Sequence, residues 1–267
     1  MTTNPLPPDS GRPGFAALDV GRRLRAALIH LGLSAIVAAL AALLVFGFWY
    51  PTPFREISGG RELFFLVVAV DVVLGPVITF AIFDRRKPWR ELRRDLAIVV
   101  VLQLAGLAYG LHTVYLVRPV AMALEGDRLR VVRVFDLADA DLSQAPPGLQ
   151  RLPLWGVQVI ATRKPRADEK LDAMDMGLAG IDIGMRPKFW LPASATGAAM
   201  AQAAQPLDKL RKLYPNRAAQ LDAAIAETQL PAESLKFIPI LARSTDWVAL
   251  VDANTGNVVG YAPFDGF

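Results

Sequence analysis

The sequence has no cysteine and only two histidines among its 267 residues. Without cysteine, the protein can form no disulfide bond, use no thiolate in catalysis and build no zinc site from thiolates. The two histidines, His30 and His112, fall near opposite ends of different apolar runs, so we do not expect them to share a metal ion. The composition therefore predicts a protein without a metal or other cofactor.

Signatures of catalysis are missing as well. The sequence contains no G-x-S-x-G, no Gly-rich phosphate-binding loop ending in Lys-Ser or Lys-Thr, and no G-x-G-x-x-G. Asp139 and Asp141 form the short D-x-D pattern found in metal-dependent glycosyltransferases, and they follow a predicted strand. So short an acidic pattern is more often a turn or a helix start, where the helix dipole favours aspartate. We expect no catalytic residue and no enzymatic activity.

The net charge of +4 does not indicate a nucleic-acid-binding protein, because the basic residues are concentrated beside apolar runs. Six of them lie in one short segment between two such runs, and four more precede the first run, namely Arg12, Arg22, Arg23 and Arg25. One basic segment is a weak signal for nucleic acid. Basic residues in these positions instead set the orientation of membrane proteins.

Apolar residues make up 53% of the chain, and three long runs hold many of them. These runs cover residues 26–50, 63–83 and 96–117. Each is long enough to cross a bilayer, which takes about 20 helical residues. The first run is too long for a cleaved signal peptide and lacks a small-residue cleavage site. Its last residues, Trp49 and Tyr50, are predicted to anchor it at the membrane interface.

The charges of the two connecting segments predict the orientation of these spans. The segment 51–62 carries two basic and two acidic residues, whereas the segment 84–95 carries six basic residues. These six residues are predicted to form a cytoplasmic loop that sets the topology: Arg85, Arg86, Lys87, Arg90, Arg93 and Arg94. The N-terminus is then also cytoplasmic, and everything after Val117 lies outside the cytoplasm.

The part after the third run reads as a small α+β domain. VAMALEGDRLRVVRVF predicts a β-hairpin with a Gly-Asp turn, LWGVQVIAT another strand, and WVALVDANTGNVVGYAPF a second hairpin. RADEKLDAMDMGLAG has helical spacing, and PLDKLRKLYPNRAAQLDAAIAE predicts two helices divided at Pro215.

The predicted fold is therefore an α-helical membrane domain of three transmembrane helices followed by a small α+β extracytoplasmic domain. Residues 1–25 form a disordered tail, rich in proline and glycine up to residue 14, and the start of the first helix. Residues 26–117 form the three-span domain. Residues 118–267 form the outer domain.

One carboxylate, Asp71, lies inside the second apolar run, in VDVVLGPVITFAIFD. An aspartate near the centre of a bilayer costs about 2.5–3.5 kcal/mol, so it needs a partner or a function. Asp71 is predicted to lie about 12 Å below the outer surface of the membrane. By their positions along the third span, Tyr109 and His112 are predicted to lie at a similar depth. Gly75 and Pro76 follow Asp71 and are expected to bend the helix and to open one of its faces.

Three interpretations of this site stay open. The favoured one is a polar clasp within the bundle, in which Tyr109 or His112 donates a hydrogen bond to Asp71. The second is a site at which the transmembrane helix of a partner docks. The third, proton or ion transport, is disfavoured because three spans offer little room for a pathway.

Four stretches of the sequence resemble one known family. They are FWYPTPFREISGG (48–60), VDVVLGPVITF (70–80), RRDLAIVVVLQLAGLAYGLHTVYLVRPV (93–120) and EGDRLRVV (125–132). Together they resemble the type IV pilin accessory proteins of the TfpX/TfpZ group, which are bacterial inner-membrane proteins. The resemblance covers the helical part and the first hairpin of the outer part, somewhat under half of the chain.

The resemblance implies a multi-pass inner-membrane protein with a periplasmic C-terminal domain. It further implies that the lipid bilayer and a cognate type IV pilin are its partners, and that the protein assists the stability or the assembly of that pilin. It implies no catalytic activity. Two other functions stay open from the residues: a membrane-bound enzyme that transfers a glycosyl group to pilin, and a sensor whose outer domain binds a small ligand.

Overall fold

The computed structural model describes residues 20–84, 87–242 and 247–267. The predicted disordered tail lies outside these residues, and so do Arg85 and Arg86 of the predicted basic loop. The chain divides into two compact units. In the described residues, the first unit comprises 20–38, 69–84 and 87–106, and the second comprises 39–68, 107–242 and 247–267. The second unit therefore contains parts of the helices as well as the sheet domain.

Three long helices are present, as the apolar runs predict. They are α1 (Val20–Leu44), which continues as a π-helical segment (Val45–Trp49), α3 (Gly60–Ile82) and α4 (Trp89–Leu116). A single turn, α2 (Phe54–Ile57), lies between α1 and α3. All three long helices are long and apolar enough to cross a membrane, judged by length and composition.

The helices α1 and α4 begin earlier than the apolar runs, because arginine and glutamate are good helix formers. In α4 the backbone N–H groups of Glu91 and Leu92 donate to the carbonyl of Pro88, at 2.9 and 3.1 Å, and so start the helix. Three of the basic residues predicted in a loop therefore lie on the first turns of α4: Arg90, Arg93 and Arg94. Lys87 lies before the helix and pairs with Asp95 at 2.8 Å.

The first unit is held at one end by a side chain of α1. The guanidinium of Arg23 donates to the carbonyl of Ala81 at 3.0 Å, and it pairs with the carboxylate of Asp84 at 3.3 Å. Both acceptors lie at the C-terminal end of α3, where cations are favoured by the free carbonyl groups.

The second unit contains a seven-stranded mixed sheet with the order β3-β1-β2-β5-β6-β7, in which the short β4 pairs with β5. Its strands are β1 (Pro119–Glu125), β2 (Arg128–Arg133), β3 (Gln158–Ala161), β4 (Gln205–Pro206), β5 (Leu235–Leu241), β6 (Val248–Asp252) and β7 (Val258–Ala262). Both predicted hairpins, β1–β2 and β6–β7, are confirmed. The first turns at Gly126, whose φ of +66° favours glycine.

Four further helices flank the sheet. They are α5 (Lys170–Leu178), α6 (Ala193–Ala203), α7 (Leu207–Leu213) and α8 (Ala218–Glu227). Pro215 separates α7 from α8, as predicted. The sequence patterns did not predict α6 or the central strand β5.

The segment between α1 and α3 contributes to the core of the sheet domain. Phe54 and Ile57 of α2 are buried in one apolar cluster with Met122 of β1 and Ile238 of β5. The ring of Phe54 also makes an edge-to-face contact with Tyr261 of β7, with ring centroids 5.7 Å apart. The core of the sheet domain thus includes residues that precede the second apolar run.

Candidate functional site

A chain of polar side chains connects the three helical segments of the first unit. The imidazole of His30 in α1 lies 2.5 Å from the hydroxyl of Thr79 in α3. Its other nitrogen, Nε2, lies 2.7 Å from Oε1 of Gln103 in α4. The amide oxygen of Gln103 can only accept, so Nε2 of His30 donates to it, while Nδ1 of His30 makes a hydrogen bond with the Thr79 hydroxyl. The side chains of His30, Thr79 and Gln103 thereby each have a hydrogen-bond partner within apolar helices.

The same glutamine also contacts the backbone of α3. Nε2 of Gln103 donates to the carbonyl of Asp71 at 2.9 Å. A Cβ atom at Gly75 would lie 2.0 Å from that nitrogen, so glycine is required for the amide to reach α3. Pro76 follows and has no N–H, which leaves the carbonyl of Val72 without its usual helical donor. Gly75 and Pro76 are both buried.

The carboxylate of Asp71 lies in a groove between α3 and α4 in the first unit. The groove has a volume of about 560 Å³, and its lining is almost entirely apolar. Besides Asp71, it is lined by Val70, Leu74, Gly75, Ile78, Ile82, Asp95, Ile98, Val99, Leu102, Gln103 and Gly106. Oδ2 of Asp71 is buried and has no hydrogen-bond partner among the described residues. A residue that lines the groove thus has one buried carboxylate oxygen without a hydrogen-bond partner among the described residues.

Two glycines one helical turn apart, Gly106 and Gly110, bring α4 close to α3. In the first unit, a Cβ atom at Gly106 would lie 3.7 Å from Oδ1 of Asp71, which is an ordinary contact. In the second unit, a Cβ atom at Gly110 would lie 2.3 Å from Cγ1 of Val67, which is far too close. Small residues at this spacing allow helices to pack closely in membranes.

Tyr109 and His112, the predicted partners of Asp71, are both exposed in the second unit, with 76% of Tyr109 accessible. In residues 20–84, 87–242 and 247–267, neither side chain makes a hydrogen bond. The clasp through these two residues stays a prediction.

The two predicted interface anchors occupy different surroundings. Trp49 is half-buried and meets Tyr115 edge to face, with ring centroids 5.3 Å apart. Tyr50 is fully buried, and its hydroxyl donates to the carbonyl of Val114 at 3.0 Å. Tyr50 is therefore a packed residue of the second unit, and a role of either residue as an interface anchor stays a prediction.

The chain is similar over most of its length to fimbrial assembly proteins. A fimbrial assembly protein of serogroup I from Dichelobacter nodosus is 34% identical over 242 residues, which cover 90% of this chain and 94% of that protein. The serogroup E1 protein of the same organism is 32% identical over the same shares. The protein of serogroups C1 and C2 is 40% identical over 117 residues, which cover 44% of this chain and 89% of that protein.

The chain belongs to the fimbrial assembly protein family. The sequence model of the family described as fimbrial assembly protein FimB matches residues 19–59, from the start of α1 to the end of the segment that contains α2. No solved structure matches the chain. The resemblance to proteins of pilus assembly is thereby confirmed at the level of this family.

In this member of the fimbrial assembly family, sequence reasoning missed two residues of the polar chain, Thr79 and Gln103. Both are polar residues within apolar runs, which was the available signal. Their contacts with His30 could not be predicted, because they depend on how each helix is rotated about its axis.

Asp141, the second residue of the D-x-D pattern, lies at the start of a turn in the sheet domain. The side chain of Asp141 caps a 3₁₀ turn (Leu142–Gln144) by accepting from the backbone N–H of Ser143 at 3.0 Å and from its hydroxyl at 2.6 Å. Hydrogen bonds from Ser143 and Gln144 hold the pKa of the Asp141 carboxyl below its usual value. The carboxylate is thus already engaged, which agrees with the interpretation as an acidic turn.

Proposed function

We propose that this protein is a bacterial inner-membrane accessory protein that assists the stability or the assembly of a cognate type IV pilin by direct contact. Its relatives are named fimbrial assembly proteins, which supports a role in pilus assembly. Three helices that are long and apolar enough to cross a membrane support the location in the inner membrane. In this proposal, the protein corresponds to the accessory proteins of the TfpX/TfpZ group and carries out no catalysis.

The observation that carries the proposal is the groove that contains Asp71. A bilayer offers no water to solvate a carboxylate, so an unpartnered oxygen in such a groove favours an occupant that brings a donor or a cation. A pilin enters assembly as a membrane helix, and the lining of the groove includes Gly75 and Gly106, which are small residues of the kind that allow helices to pack closely. Docking of the pilin helix between α3 and α4 satisfies both requirements.

The clasp is the second candidate for the same residues. In that arrangement, Tyr109 or His112 donates to Asp71, and the carboxylate acts only by holding α3 in one rotation. The two candidates differ in what the charge of Asp71 does, which a charge-removing substitution can separate.

Crosslinking from α4 tests the docking groove. Leu102 lines the groove, whereas Val101 does not, although the two side chains are similarly exposed at 67% and 63%. They point about 100° apart around the helix. We expect a photoreactive amino acid at position 102 to give a pilin adduct, identified by mass spectrometry, and the same group at position 101 to give much less. Equal yields at both positions, or no adduct at either, would contradict docking in this groove.

The proposed orientation places the N-terminus and the basic segment in the cytoplasm and residues 118–267 in the periplasm. Reporter fusions after Arg90 and after Phe267 test this arrangement. We expect a periplasmic reporter such as alkaline phosphatase to be active only at the second position, because an odd number of spans precedes it. Activity at both positions or at neither would reject the three-span topology.

A further inference from the structure

Two adjacent apolar side chains, Leu154 and Trp155, project from the loop that precedes β3. They are 72% and 65% exposed. Large apolar side chains that neighbour one another on an exposed loop are a frequent mark of an interaction surface. The position of this loop in the second unit indicates which surface it meets.

The loop is fixed to the end of α4 by Arg118, which follows that helix by two residues and is only 1% exposed. Its Nη2 donates to the carbonyl of Pro153 at 2.8 Å, and its Nη1 to that of Leu154 at 3.5 Å. The guanidinium also lies over the ring of Tyr115, 4.9 Å from its centroid. A buried, multiply bonded guanidinium holds a loop much more firmly than a surface contact does.

The loop is also fixed to the end of the first candidate span. The backbone N–H of Gly156 donates to the carbonyl of Phe48 at 3.1 Å, and Phe48 is one residue before the end of that span. The φ of Gly156 is +73°, a conformation that favours glycine. Trp155 is therefore within about 10 Å of the place where the span ends, because one residue of chain reaches less than 4 Å.

We propose that Leu154 and Trp155 insert into the headgroup region of the outer face of the bilayer, so that the sheet domain rests on lipid through this loop. The inference rests on the membrane placement proposed above. The hydrogen bonds of Arg118 and Gly156 hold the loop close to Trp49 and Tyr115, which lie at the ends of two candidate spans. Tryptophan is enriched at this depth, because its ring is apolar while its N–H bonds to water or lipid carbonyls.

The absence of cysteine makes a direct test possible. A nitroxide is attached to the Leu154→Cys variant, in which Trp155 is unchanged. The measurement compares its collisions with oxygen, which concentrates in lipid, and with a nickel chelate, which stays in water. The full-length protein is placed in vesicles of phosphatidylethanolamine and phosphatidylglycerol without pilin. We expect the ratio of oxygen collisions to chelate collisions at 154 to lie between the value in water and the value in hydrocarbon, which corresponds to headgroup depth.

Two control positions make the result interpretable. Leu178 is 83% exposed and ends α5, in which Asp172 pairs with Arg186. Two residues before Arg186, the backbone N–H of Gly184 donates to the carboxylate of Glu125 at the far end of β1, so a label at 178 should report water. Val73, 58% exposed on α3, should report hydrocarbon. A label at 154 that behaves like the one at 178 while 73 reports hydrocarbon overturns the inference and leaves the membrane placement intact. A label at 73 that reports water overturns the placement itself.

A second substitution tests whether Trp155 determines the depth of the label at position 154. Trp155→Ser in the Leu154→Cys background should shift the label towards water, since the ring that favours the interface is lost. An unchanged depth would overturn the role of Trp155. Protection of the label from both oxygen and chelate would indicate a protein contact and would also overturn the inference.

Discussion

Asp71→Asn is expected to leave the protein folded and present at normal levels while it abolishes crosslinking to pilin and pilus assembly. Asparagine keeps the size of the side chain and can still hydrogen bond, but it carries no charge. Truncating one member of a buried hydrogen-bonded charge pair costs about 2–5 kcal/mol, which is at least about thirtyfold in affinity. The Gln103 contact to α3 uses the backbone carbonyl of Asp71 and is therefore preserved in this variant. Pilin adducts from position 102, pili counted by microscopy and protein levels in membranes are the measurements.

The control is Glu91→Gln, which removes a carboxylate from an exposed position in the first turn of α4. It should leave crosslinking and assembly unchanged. The clasp predicts a different pattern, in which Asp71→Asn has a mild effect and Asp71→Leu causes a severe loss of folded protein. Normal folding and normal pili in both Asp71 variants would mean that the residue has no role in either arrangement.

Gly110→Ala is expected to destabilise the protein by about 1–3 kcal/mol, the usual cost of overpacking. The new methyl group would lie 2.3 Å from Cγ1 and 2.9 Å from Cγ2 of Val67. A valine in a helix has essentially one rotamer, so it cannot turn away and the helices must separate. Gly106→Ala is the matched control one turn earlier, where the nearest atom lies at 3.7 Å.

The measurement is the free energy of unfolding in detergent, obtained by titration with a denaturing detergent. Gly106→Ala should be neutral or slightly stabilising, because alanine favours helix over glycine. Val67→Ala removes both clashing atoms and should restore much of the stability of Gly110→Ala in the double variant. Equal stability of Gly110→Ala and Gly106→Ala would show that the close approach at Val67 does not contribute.

The sequence was sufficient to predict the elements that are determined by residues close together in the chain. The apolar runs predicted the three long helices, and Pro215 predicted the division between α7 and α8. The hairpins β1–β2 and β6–β7 followed from short turns between apolar stretches. In each case, the residues that determine the element are neighbours in the sequence.

Elements that depend on distant parts of the chain were not predictable in this way. The strand β5 contains Pro239, which argues against a central strand, yet it lies between β2 and β6. The burial of Tyr50 depends on Gly60, because a Cβ atom there would lie 2.4 Å from the tyrosine ring. The contacts of His30 likewise require residues 49 and 73 positions away.

The burial of Phe54 and Ile57 in the core of the sheet has a consequence for the biogenesis of the protein. These side chains are synthesised before α3 and α4, whereas every strand of the sheet is synthesised after them. The sheet domain can therefore complete its core only when the segment between α1 and α3 packs against strands that are synthesised after α3 and α4. A fragment that starts at β1 would lack part of its own interior, so complete folding of the sheet domain depends on residues that are synthesised before α3.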